Sequence, residues 1–240
     1  MSETVSLQFP SDFIIPLPFN QISNFAKKSR APNWRQIEAD VKRLAMDNQE
    51  EIAKLSDSMI KAMTEDVSLG KISDITLEEI KSKIDYLNSK FKHIDEYFES
   101  LDPHDQRDLL LPFIDKEISI LAEYKDNFKI FIISKSRWDL NDSLMYSYYL
   151  LYQDSITAWR SILKQASRET IKSKLNIIKG LIFIYKPIIY AYVSGKNLPN
   201  EVIVKRIAEL RASINPSKIY PIIKPKVYEA LEAISEVPPA

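Results

Sequence analysis

A chain of 240 residues with 45% hydrophobic and 28% charged side chains can bury a sizeable core, which excludes a disordered segment. Its 33 basic and 33 acidic residues cancel, and its 0 cysteines exclude a disulfide framework and thiolate metal sites. Only 3 glycines argue against sheets joined by tight turns, which need positive φ, and in favour of long helices.

The zero net charge hides a division. Residues 160–226 hold fourteen Lys/Arg and three acids (Glu169, Glu201, Glu209), a balance of +11; the totals of 33 and 33 then leave 19 bases and 30 acids elsewhere, or −11. Either the basic segment packs beside the acidic one, or it shows a positive surface to an anionic partner. The first account is the simpler and is preferred.

Residues 1–31 read as an extended, proline-punctuated arm, with "FIIPLPFN" (residues 13–20) laid over a groove, because proline fixes φ and biases its predecessor away from helix. Glu3 stands where a signal peptide wants a base, and Pro16 and Pro18 break the apolar run. The expectation is therefore a cytoplasmic protein without Sec export; a non-Sec release route would apply only to a membrane-active one.

Residues 32–240 read as a single helical-bundle domain. From Asn33 onward Trp34, Ile37, Val41, Leu44, Asn48, Ile52, Leu55, Met59 and Met63 form one apolar stripe interrupted by Asn48. After Gly70, Thr76 and Glu79 make a capping box, with Ile75 and Ile80 as its hydrophobic staple. Ile80, Ile84, Leu87, Phe91, Ile94, Phe98 and Leu101 then alternate steps of four and three, a coiled-coil-like heptad seam. In "LDPHDQ", Asp102 is the predicted cap and Pro103 the first helical residue. Pro112 is expected to kink or restart the chain, before Phe113, Glu117, Leu121, Tyr124, Phe128, Phe131 and Ile132 resume helical spacing.

Asn141 or Asp142 is the next predicted cap. It opens an aromatic-rich face of Leu144, Met145, Tyr148, Leu151, Tyr152, Ile156, Trp159, Ile162 and Leu163. Ser167 opens a helix with two apolar rows: Ile171, Leu175, Ile178, Ile182, Tyr185, Ile189 and Tyr192 form one, and Ile177, Leu181, Ile184 and Ile188 the other. Such a helix must be enclosed by neighbours or by lipid. Gly195 suits its C-terminal cap. Ile203, Ile207, Leu210 and Ile214 mark a further helix, and "NPSKIYPIIKPK" connects it to a short last one with Val227, Leu231 and Ile234. The expected fold is all-α: an elongated antiparallel bundle of about six to seven helices.

Whether the stretch around Leu181, Ile182, Phe183, Ile184, Lys186, Pro187, Ile188 and Ile189 is core or membrane segment follows from an estimate. Residues 177–193 span about 25 Å of helix against a hydrocarbon core of about 30 Å. Nine strong apolar residues contribute about −4 to −5 kcal/mol, a central lysine costs about +3, and Gly180, Pro187 and three tyrosines consume most of the rest. Insertion is near break-even, so a buried spine is preferred, with Lys186 snorkelling to a surface and Pro187 bending the helix.

No catalytic or cofactor signature is present. His93 flanks the heptad seam and His104 sits in a first turn; neither has a glutamate three residues before it, which excludes the helical di-iron pattern. No phosphate loop, dinucleotide fingerprint, HExxH or GxSxG occurs. Neither a metal nor a cofactor is expected. Carboxylates converging from separate helices would be the route to an enzyme, the third-ranked reading. The basic cluster Lys27, Lys28, Arg30 and Arg35 beside Trp34 is a weak nucleic-acid signal and reads better as a joint before a helix.

The leading expectation is a non-catalytic helical-bundle interaction protein, an adaptor, immunity-type or assembly component. It would bind a protein partner, or a second copy of itself, through the seam Ile80, Ile84, Leu87, Phe91, Ile94 and Phe98 if that seam is not used internally. The runner-up is a membrane-active, pore-forming component for which residues 177–193 insert conditionally into an anionic membrane.

Overall fold

The computed structural model describes residues 7–10, 13, 17–43, 92–135, 139–195 and 198–213. Every regular element among them is helical, so the chain is all-α there as expected. The capping box at Thr76, most of the heptad seam, the stripe beyond Val41 and the C-terminal helix with Val227, Leu231 and Ile234 lie outside the described residues.

The arm expected to be extended as far as residue 31 instead becomes helical at α1 (Phe19–Lys28). Beyond Pro18, Phe19, Ile22 and Ala26 step by three and four and bury one face. Helix α2 (residues 34–43) follows, and α3 (residues 92–100) carries the end of the seam. Helix α4 (Pro103–Ile133) begins as predicted: Asp102 is its N-cap, accepts the His104 N–H at 3.0 Å, and Pro103 occupies the first turn. Pro112 does not restart it. The helix runs on for 31 residues, because packing of Leu110, Ile114, Glu117, Leu121 and Phe128 on one face outweighs the single hydrogen bond that proline removes.

Helix α5 (Leu140–Gln165) is capped by Asp139, not by Asn141 or Asp142. Asp142 is the third helical residue: its N–H reaches Asp139 Oδ1 at 3.0 Å while its own carboxylate accepts the Asp139 N–H at 3.1 Å, a reciprocal capping box. Asn141 instead donates to the Leu198 carbonyl and, at 3.1 Å, to Asn200 Oδ1. That ties the start of α5 to the start of α8 (Asn200–Ser213). Fifteen of the 26 residues of α5 are buried, and it packs against α4, α6 (Arg168–Gly180), α7 (Lys186–Val193) and α8, which makes it the central helix.

Between α6 and α7 the rod widens into a π-turn (Leu181–Tyr185), in which the Lys186 N–H bonds the Leu181 carbonyl five residues back. Pro187 lies just beyond. Its ring cannot coexist with regular bonding to the preceding turn, and the wider turn accommodates it. The Tyr148 hydroxyl donates to the Tyr185 carbonyl at 2.9 Å and satisfies backbone at the irregularity. Both apolar rows are covered where described: Ile178, Leu181, Ile182, Ile188 and Ile189 are buried, with Ile177 and Tyr185 packed beside them. Gly195, at φ +79°, follows the C-cap Ser194.

The two described glycines of this rod should respond oppositely to alanine. At Gly180, helical and with nothing within 4 Å of a new Cβ, Gly180→Ala should raise stability by about 0.5–1 kcal/mol. At Gly195 the same change forces a side chain into left-handed backbone and should lower stability by about 1 kcal/mol. Urea unfolding of the two variants checks both signs.

Candidate functional site

The division of charge is matched in space. Arg160 in α5 makes a two-pronged pair with Asp115 in α4 at 2.6 and 2.8 Å. Arg168 bonds Asp102, Lys172 lies 4.0 Å from Glu99, and Lys179 pairs with Glu99 and, at 3.4 Å, with Asp95. The basic segment therefore lies against the acids of α3 and early α4. At the α1–α2 joint, Lys27 and Arg35 flank the Trp34 ring at 5.4 and 5.3 Å.

One member of this series is fully enclosed. Lys186 does not snorkel outward: its side chain is 4% exposed, and Nζ lies 3.0 Å from Glu117 Oε2, itself 3% exposed. The other oxygen, Glu117 Oε1, accepts the Tyr152 hydroxyl. Burial, and next to it the Glu117 carboxylate, push the Tyr152 phenol far above its ordinary value, so it remains a donor. A lysine at the middle of an apolar segment would have to reach water or find a core acid. The sequence does hold that acid, since Glu117 stands in the apolar row of α4 between Phe113 and Leu121.

The N-terminal segment reaches this pair. Phe13 places its ring 5.1 Å from Lys186 Nζ, and Phe113 of α4 lies at 5.6 Å on the same ammonium. Phe9 stacks on Phe13 with centroids 4.5 Å apart and also meets Tyr124 at 5.2 Å and Tyr149 at 6.5 Å. Leu7, Phe13 and Leu17 are buried and Phe9 is half-buried. Phe9 and Phe13 thus rest on Tyr124, Tyr149 and Lys186, with Phe113 beside that lysine.

A second buried polar group sits at the far end of α4. Asp142 accepts from Lys135 Nζ at 2.7 Å and from the Tyr192 hydroxyl, while Lys135 also donates to that hydroxyl at 2.8 Å. Burial pushes the Asp142 carboxyl up, but the hydrogen bonds from Lys135, Tyr192 and Asp139 outweigh it and hold the carboxyl below its ordinary value. His93 pairs through Nδ1 with Asp40 at 2.9 Å and through Nε2 with Gln36 at 3.0 Å, joining α3 to α2.

Of the sequence-predicted seam, Ile94 and Phe98 are fully buried, while Ile80, Ile84, Leu87 and Phe91 lie outside the described residues. Its described part is core, with Lys179 Nζ 5.0 Å from the Phe98 ring. Of the second predicted set, Leu181, Ile182, Lys186, Ile188 and Ile189 are buried and Pro187 is intermediate; the side chains of Phe183 and Ile184 are not among those described. Among the described residues no group of three or more His, Asp or Glu is placed to hold a metal, and no helix is long and apolar enough to cross a membrane. Glu117 accepts from both Tyr152 and Lys186, and Phe13 lies over that lysine.

Two measurements test these clusters. Glu117→Ala or Lys186→Ala should each cost about 3–5 kcal/mol by leaving the partner charge buried, whereas Glu117→Leu/Tyr152→Phe/Lys186→Met should recover most of that loss. Denaturant melts of the singles and the triple decide it. Because the Asp142 pKa is lower in the folded than in the unfolded state, its contribution is full above the unfolded value of 3.8 and is lost as pH falls through the folded one. Stability should therefore drop on acidification below pH 3.8 by less in Asp142→Asn than in the parent chain, as read from urea midpoints.

Comparison with known proteins finds no match for this chain among family models, curated sequences or solved structures.

Proposed function

We propose that this chain is a soluble, non-catalytic interaction protein, an adaptor, immunity-type or assembly component, folded as an elongated antiparallel bundle around α5. The observation that carries the reading is the aromatic surface under Phe9 and Phe13. The body holds Phe9 and Phe13 of the N-terminal segment through aromatic side chains, with Phe9 against Tyr124 and Tyr149 and with Phe13 over Lys186. Aromatic-lined surfaces of this kind are used to recognise segments of protein partners. The core ionisable groups are engaged with one another, which favours holding over turnover.

With Ile94 and Phe98 buried, those seam positions do not serve as the docking face, and the aromatic surface takes their place. The apolar rod stays home in this reading, since Lys186 would have to abandon Glu117 to enter lipid.

The test is affinity capture from the native host with the tagged full chain, followed by titration of the purified candidate against the untagged chain. Saturable binding at fixed stoichiometry is expected; empty captures across growth conditions would sink the reading. Flotation with anionic vesicles should leave the chain in the aqueous fraction at neutral and acid pH. Co-flotation, increased by Lys186→Leu, would transfer the assignment to a membrane-active protein.

A further inference from the structure

We infer that the joint between α1 and α2 is a docking site for an acidic segment of a partner protein, with Arg30 as its anchor. The inference rests on the interaction-protein reading and gives it a second surface, apart from the one under Phe9 and Phe13.

Three observations carry it. The first is the backbone at Arg30. Helix α1 ends at Ser29 in a Schellman turn, in which the Ala31 N–H reaches the Ala26 carbonyl at 2.9 Å and the Arg30 N–H the Lys27 carbonyl at 3.2 Å. The residue after the cap must then take left-handed backbone, and Arg30 does so at φ 55°. Glycine is the ordinary occupant of that position, because a Cβ makes the conformation costly. Among the described residues Arg30 is the only non-glycine with positive φ. Its side chain is exposed and gives nothing back to the described fold, with no hydrogen bond, ion pair or ring contact. A strained arginine that holds nothing of its own chain has its use outside it.

The second is charge. Residues 19–37 hold Lys27, Lys28, Arg30 and Arg35 and no acid, and all four bases are exposed. Lys27 lies 3.6 Å from Glu38, which Lys42 also approaches at 3.7 Å. Lys28, Arg30 and Arg35 have no carboxylate partner among the described residues. Arg160, Arg168 and Lys179, by contrast, meet acids of their own chain. An uncompensated positive cluster draws a complementary negative surface.

The third is rigidity. Pro32 fixes the chain just past the turn. The Trp34 N–H bonds the Ala31 carbonyl at 3.1 Å, and the Asn33 carbonyl takes the Gln36 and Ile37 N–H groups at 3.0 and 3.1 Å. Lys27 and Arg35 both lie over the Trp34 ring. The cations are thus held in place before a ligand arrives, which lowers the ordering cost of binding.

The same contacts select the class of partner. A nucleobase stacking on Trp34 would have to displace Lys27 or Arg35. Ile22, Ala26, Ala31 and Ile37, the apolar residues beside the cations, are buried, so they give no face to sink into a membrane. A compact set of donors remains, suited to carboxylates, with which arginine pairs in two-pronged fashion.

The experiment uses the full chain and a fluorescein-labelled octapeptide of alternating glutamate and aspartate. The parent should bind it saturably, with an affinity that falls as salt rises. Arg30→Gly should weaken binding at least about threefold. It should at the same time raise the urea midpoint, since glycine takes left-handed backbone without strain. A purely structural arginine would not move affinity and stability in opposite directions. Lys129→Gln removes the same charge from an exposed position on α4 and should leave binding unchanged. No binding by the parent, undiminished binding by Arg30→Gly, an equal loss in Lys129→Gln, or a lower urea midpoint in Arg30→Gly overturns the inference. Oligothymidylate or phosphatidylserine vesicles held more strongly than the peptide, and released by Arg30→Gly, would give the joint to nucleic acid or to a membrane and also overturn it. Failure of the peptide assay leaves the interaction reading standing, whereas empty host captures sink that reading even if the peptide binds.

Discussion

The contact between Lys186 and Glu117 organises the centre of the molecule. Each charge would be untenable there alone, and the 3.0 Å pair, completed by Tyr152, joins α4, α5 and α7 at one point. Apolar packing is permissive about rotation and sliding; a buried pair of this kind admits one register. The Leu121 carbonyl taking the Tyr149 hydroxyl at 2.6 Å, and the Tyr185 carbonyl taking that of Tyr148, repeat the device along the same helix. Tyrosines of α5 thus act as rungs, apolar along the ring and polar only at the tip.

Around that point the two signs of charge are sorted by chain segment. The pairs of Arg160, Arg168, Lys172 and Lys179 with acids of α3 and α4 are partly exposed, and each contributes little to stability. Their value is in choosing neighbours. A basic stretch that meets its own acidic stretch is steered toward α3 and α4 and away from a second basic stretch.

Much of this was legible in the sequence. Steps of three and four identified the described helices from α2 onward, the scarcity of glycine argued against sheets, and "LDPHDQ" placed the α3–α4 junction to the residue. Both apolar rows of the α6–α7 rod forced its enclosure. The misses have physical causes. Asp139 and Asp142, three residues apart, carry the same side chain, and the sequence alone leaves open at which of them the helix starts. Pro112 signalled a break that the long packed face of α4 overrides. Lys186 was read alone, as a side chain seeking water, although an acid in the apolar row of α4 was the visible sign of its mate. Phe13 opens the proline-punctuated stretch expected to lie over the body, whereas Phe9 carried no signal, since nothing local tells a covering aromatic from one in a core.

The widened turn before Pro187 has a consequence for how this rod can vary. Regular helix advances about 100° per residue, and a turn holding one residue more sets everything after it back by about that angle. Lys186 meets Glu117 in this phase, and Ile188, Ile189 and Tyr192 beyond it are buried. Exchanging one greasy side chain for another between residues 181 and 185 leaves that phase intact. Losing a single codon there would let the wide turn close into regular helix while the residues beyond it keep their present facing. Keeping the codon and losing the wide turn would instead swing the rest of the rod by about 100° and carry Lys186 away from Glu117.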